Sequence, residues 1–227
     1  MATHVNVMKL RGTVDSIQDD ILTLGMKIPQ YRNQPNGPFY ENIIPVNVAD
    51  LPKTKLRGLV GKRVEMAGRI VNLPVPEGEP SMSTFKPFKK YFEVVDTPGD
   101  LNVAEVVGIA PSGVIYNEAK PNLRAFSNIL MMAGDTFVWA VVFKAAARLV
   151  KLACPRGSLL KVGGRLNLRE YESPTSGWRQ VYEVVADPEQ IQVLKKAEIV
   201  DDLADIRDMG AITIDEDDGE TAPEGAI

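Results

Sequence analysis

The chain holds one cysteine, Cys154, and one histidine, His4, among 227 residues. A lone thiol excludes a disulfide within the chain, and the two residues are too few for a Cys/His metal cluster. No run of about 18 apolar residues occurs, and no leader pattern opens the sequence. These absences predict a soluble chain in the reducing cytoplasm, with no membrane partner and no cofactor. Walker-type glycine loops and zinc spacings are also missing. His4 is alone and near one end of the sequence, and Cys154 has no histidine partner and reads as a packed thiol. Paired carboxylates are concentrated near the C-terminus. The sequence therefore predicts a binding protein, not an enzyme.

What is present is a pattern that occurs twice. Asn6-Val7-Met8-Lys9-Leu10-Arg11-Gly12 recurs 96 residues later as Asn102-Val103-Ala104-Glu105-Val106-Val107-Gly108. The same offset carries Gly61–Ile70 onto Gly157–Leu166. Phe92-Glu93-Val94-Val95 matches Tyr182-Glu183-Val184-Val185 at an offset of 90, which implies six residues fewer of loop in the second copy. A period near a hundred residues is a duplicated domain, not a solenoid unit. The expected boundaries are 1–100, 101–196 and a tail at 197–227.

Charge divides the same way. Residues 1–101 carry 13 Lys+Arg and 11 Asp+Glu, and residues 102–196 carry 12 and 8. Residues 197–227 carry 1 and 11, so two mildly basic domains precede a strongly acidic tail. Such asymmetry suggests a polyanion-binding body with a tail that competes for the basic surface or meets a partner. The run Asp215–Glu220 is expected to stay solvated.

Period-two alternation and turn residues place strands at Val5–Val14, Ile21–Leu24, Phe39–Val48, Arg63–Leu73 and Lys90–Asp96. Asp50-Leu51-Pro52 reads as a helix start, with Leu56, Leu59 and Val60 as the apolar face. Pro74–Pro87 is rich in proline and reads as a long loop. The second copy offers strands at Leu101–Ile109, Leu123–Met132, Thr136–Phe143, Leu159–Tyr171 and Gln180–Ala186. A helix at Ala145–Ala153 points Leu149 and Val150 inward. Five strands with one short helix between the third and fourth is the order of an OB barrel. The predicted fold is all-β, with two tandem OB-fold barrels and a disordered acidic tail.

Four segments of the second copy carry a resemblance: Asn102–Gly108, Thr136–Phe143, Gly157–Leu166, and Arg169-Glu170-Tyr171 with Tyr182–Asp187. Their order and spacing resemble the bacterial and phage single-stranded DNA-binding protein family, over about 102–194. Residues 5–100 join it only through the internal repeat. The resemblance implies base-stacking roles for Phe137, Phe143 and Tyr171. Trp139 stands where that family commonly has a polar or basic residue. The acidic run is followed by Pro223–Ile227, unlike the family's terminal pattern.

The residues support the same chemistry. Sequence-tolerant binding of single strands combines a cationic groove with exposed aromatics that stack bases. In the second copy Arg165, Arg169 and Arg179 interleave with Phe137, Trp139, Phe143, Tyr171 and Trp178. Trp139 and Phe143 fit core or groove alike. In the first copy Lys62, Arg69 and Lys89 accompany Phe85 and Phe88, which sit in the proline-rich loop. The expected function is sequence-independent binding and protection of single-stranded DNA in replication, recombination or transfer. Two alternatives stay open: a protein-interaction adaptor at replication forks, and an RNA-binding protein. Expected partners are single-stranded DNA, replication or recombination proteins met through the tail, and a second copy of the chain.

Overall fold

A computed structural model describes residues 4–29, 38–74, 82–121, 124–173 and 177–197, without the side chains of residues 172, 173, 178 and 179. The tail reading at 197–227 lies outside these residues except for residue 197. The chain from Met1 to Ala197 forms one compact unit. No helix among the described residues is long and apolar enough to cross a membrane.

The first repeat contains β1 (Val5–Gln18), β2 (Ile21–Pro29), β3 (Phe39–Asn47), α1 (Lys53–Leu56), β4 (Arg63–Leu73) and β5 (Met82–Val94). β1 pairs with β2 and β4, β2 with β3, and β4 with β5, all antiparallel. The second repeat contains β6 (Leu101–Ile109), β7 (Val114–Asn117), β8 (Phe126–Ala133), β9 (Thr136–Phe143), α2 (Ala145–Ala153), β10 (Leu159–Ser173) and β11 (Gly177–Lys195). Here β6 pairs with β8 and β10, β8 with β9, and β10 with β11, while β9 meets β11 in parallel. That ring closes the second barrel, and β7 pairs with β8 outside it as an edge strand among the described residues. The strands alternate as a barrel requires: Ser127, Ile129, Met131 and Ala133 of β8 are buried, and the residues between them are only partly covered. One continuous core runs from Met8, Leu10 and Val64 to Leu160, Leu166 and Val184.

The two barrels join strand to strand. β6 pairs with the first half of β1, along the edge that β2 takes over at Thr13. In this ladder Met8 faces Ala104, its own counterpart at the offset of 96. The junction is thus locally two-fold, as isologous contacts between like units are. A duplicated clamp flanks it. Asn6 Nδ2 donates to the Ile70 carbonyl at 2.8 Å, and the Ile70 amide donates to Asn6 Oδ1 at 3.2 Å. Asn102 does the same with Leu166, both at 2.8 Å. Each amide side chain pairs backbone groups that its strand has left behind.

Several expectations need correction. Phe85 is not an exposed loop residue: β5 begins at Met82, and Phe85 is fully buried against Gly68. Pro87 sits within β5, which pairs only with β4 among the described residues, so no second ladder misses its amide. α1 is a single turn with Pro52 as its N-cap, and Asp50 instead pairs with Lys86. Leu59 is buried beyond that turn, while Val60 is exposed. In α2 the inward residues are Ala147 and Val150, and Leu149 is 65% exposed. β7 adds a sixth strand to the second repeat.

The match of Phe92–Val95 to Tyr182–Val185 also fails. Met66 faces Phe92 and Ile70 faces Phe85. Their counterparts Val162 and Leu166 face Ile191 and Val184. The structural offset is therefore 99, and the second copy gains three residues there instead of losing six.

Candidate nucleic-acid interface

The outer face of β9, β11 and β10 collects four of the second barrel's predicted residues, Phe137, Trp139, Arg169 and Tyr171. Alternation in β9 turns Val138, Ala140 and Val142 into the core. It leaves Phe137 and Trp139 outward, Phe137 at 41% exposure and Trp139 partly covered. Trp139 lies beside Glu183 in the parallel ladder, and Glu183 faces Asn167 of β10. Arg169 and Tyr171 are the next outward residues of β10. With strands about 4.8 Å apart, the aromatics of β9 and Arg169 stand about 10 Å from each other across β11. Val181, opposite Arg169, is the low point between them.

Arg169 is held from two sides. Its Nε donates to Glu183 Oε2 at 2.8 Å, and its guanidinium lies 5.4 Å from the centre of the Tyr171 ring. Asn167 Nδ2 donates to the other oxygen, Oε1, at 3.1 Å. Glu183 is 3% exposed, so a carboxylate is buried directly beneath this face. Burial of a charge is tolerable only with such partners.

Phe143 is also outward, at 39% exposure, but it packs against Phe126 with ring centres 6.3 Å apart. Six residues of strand separate it from Phe137, about 20 Å. Arg165 is not brought into the interface. Its guanidinium sits 4.8 Å over the Tyr40 ring of β3 and ties the barrels together. Burial raises the Tyr40 phenol above its ordinary value, and Arg165 partly offsets that. Tyr182 ties the same seam. Its hydroxyl donates to the Pro45 carbonyl at 2.5 Å and meets Thr84. Burial holds that phenol well above its usual range. The side chains of Trp178 and Arg179 lie outside the described ones; their backbones face Glu172 and Tyr171. Cys154 is buried, and that burial raises its thiol, as expected for a packed cysteine.

In the first barrel a groove of about 500 Å³ is lined by Arg69, Val71, Leu73, Lys86, Phe88 and Lys89, with Asp50 at its rim. It unites three of the four predicted residues of that barrel. Lys62 is not among them, because it lies in the turn before β4, seven residues from Arg69. The groove exists because β5 departs from its ladder. Pro87 faces Gly68 and Phe92 faces Met66, so Phe88, Lys89, Lys90 and Tyr91 bulge opposite Ala67 alone. Phe88 and Tyr91 meet edge to face at 6.4 Å, with Lys90 Nζ 5.7 Å from the Tyr91 ring centre. Sequence reasoning missed Glu183 and Asn167. The alternating run Arg165, Asn167, Arg169, Tyr171 was the available signal for a polar outer row.

Neither a family model nor a curated protein matches the sequence. Solved structures do. The chain is similar to the crystal structure of the wild-type single-stranded DNA binding protein from Thermus aquaticus, at 15% identity and a TM-score of 0.65. The match covers 87% of this chain and 96% of that one. A deletion mutant of that protein gives 14% identity and a TM-score of 0.65, over 88% and 99% of the two chains. The likeness spans both repeats, and the fold is the all-β OB type.

Proposed function

We propose that the chain binds single-stranded DNA without sequence preference and protects it in replication, recombination or transfer. Phe137, Trp139 and Tyr171 on one outward face, bracketed by Arg169, carry the reading. Aromatics in such a place stack bases of any identity, each worth about 1–3 kcal/mol. The groove at Arg69, Lys86, Phe88 and Lys89 supplies a second, cationic stretch. The similarity to a single-stranded DNA binding protein supports the same reading. Arg179 and Trp178, whose backbones pair with Tyr171 and Glu172 in the β10–β11 hairpin, are proposed as further single-strand contacts. The repeats act as domains 1–100 and 101–196, and the tail at 197–227 meets replication or recombination proteins. A second copy of the chain completes a homodimer.

Titration with oligo(dT), followed by quenching of Trp139 and Trp178 fluorescence, tests this. Tight binding that weakens with salt and is not displaced better by RNA is the expected result. Preference for RNA would move the reading to RNA binding. No binding of either would leave the adaptor.

A further inference from the structure

The outward cations of β10 are engaged within the chain. Lys161 Nζ lies 2.8 Å from Glu105 Oε2, Arg165 covers Tyr40, and Arg169 is held by Glu183. The side chain of Glu183 is 4% exposed, so water screens its charge poorly. The pair it forms with Arg169 is neutral as a unit. A phosphate brought over it would gain from the guanidinium and lose to the carboxylate beneath. What Arg169 still offers is the plane of a guanidinium 5.4 Å from the centre of the Tyr171 ring, and bases stack on arginine planes as they do on aromatic rings.

We propose that Glu183 is a positioning residue that removes Arg169 from phosphate binding and makes it a stacking platform for bases. This rests on the single-strand reading above and deepens it. The second face takes a strand bases-inward, and the phosphates it carries lie away from β11. A second feature agrees. The β11 bulge, Asp187-Pro188-Glu189-Gln190, is acidic where its β5 counterpart is basic. Phosphate therefore gains nothing net at the centre of this face and is repelled at its end.

The test compares an oligo(dT) with an abasic phosphodiester oligomer of equal length, across a salt series, on the full chain. Arg169→Gln is expected to weaken oligo(dT) binding several-fold at every salt concentration and to leave the salt slope unchanged. Glu183→Gln, close in shape, is expected to steepen the slope by about 0.7, the value of one new single-strand phosphate contact. It should also raise abasic binding relative to oligo(dT). The double variant should lose that gain. A merely structural Glu183 would shift the melting temperature and not the slope. Should Glu183→Gln fail to fold, the exposed Arg169→Gln decides alone. A slope shallower by about 0.7 in Arg169→Gln overturns the proposal while leaving single-strand binding intact. A wild-type chain that binds no oligomer removes both.

Discussion

At equivalent places in the two barrels, four residues leave the ladder opposite a single one. In the first barrel they are Phe88-Lys89-Lys90-Tyr91, and in the second Asp187-Pro188-Glu189-Gln190. Backbone geometry has been kept, and charge has been reversed. The outer rows diverge with them. Arg69 is exposed in a groove with Lys86 and Lys89, whereas its counterpart Arg165 is spent on the joint between barrels. Leu73 stands where the second copy has Arg169, and Thr84 where it has Glu183. Duplication thus supplies a common frame, while the outward residues are free to divide the work. One face offers charge, the other rings.

The comparison breaks most sharply at the shared glycines. A Cβ on Gly68 would lie 2.3 Å from the Lys86 carbonyl, and one on Gly164 2.2 Å from the Val185 carbonyl. Both obstacles are backbone, so each ladder must open to admit a methyl. Gly68→Ala and Gly164→Ala should each cost about 1–3 kcal/mol. Urea melts that show one of them neutral would mean that the bulges are not equivalent.

The clamps are expected to behave alike. Asn6→Ala and Asn102→Ala each orphan a backbone amide and a carbonyl that are partly buried. Each should lose about 1–2 kcal/mol in the same melts. Unequal losses would show that the junction is less symmetric than its register.

A smaller effect separates the barrels. Tyr182 has no like partner in the first copy, where Ser83 holds the equivalent place. Tyr182→Phe should cost about 1 kcal/mol near neutral pH. The folded phenol is raised above its unfolded value near 10, so the folded state keeps the proton longer. That stabilisation is complete below about pH 10 and is lost as pH rises further. The gap between wild type and variant should therefore close as pH rises above about 10 and then reverse, because the phenylalanine has no proton to lose. A gap constant with pH would place the tyrosine's contribution outside its hydroxyl.

Much of the frame is legible in the amino-acid sequence. The bounds of β4, β6, β9 and α2 follow from alternation and from the Gly and Pro residues that end them. Phe137, Trp139, Arg169 and Tyr171 are also readable, because period two fixes which side of a strand they take. The rest depends on partners distant in sequence. Pro74–Pro87 reads as one loop because its prolines hide the start of β5, and only an edge position makes Pro87 acceptable there. The similarity of Phe92–Val95 to Tyr182–Val185 arises from composition, and the register overrules it. Glu183 reads as a surface acid within a β pattern. Its burial is created by Asn167 and Arg169, on a strand that local sequence does not couple to it. Arg165 and Tyr182 look like ordinary groove and core residues until the first barrel is placed against them.

The measurement that bears most directly on the division between the faces is the salt dependence of oligo(dT) affinity. Two variants are compared with wild type. In Lys86→Gln/Lys89→Gln, two phosphate contacts are removed, because the Asp50 carboxylate beside Lys86 is exposed and screened by water where Glu183 is not, and the slope should flatten by about 1.4. Affinity should then approach wild type as salt rises. In Trp139→Ala, affinity should fall by about 1–3 kcal/mol at every salt concentration with the slope unchanged. A flattened slope in Trp139→Ala, or an unchanged one in the lysine variant, would contradict the account.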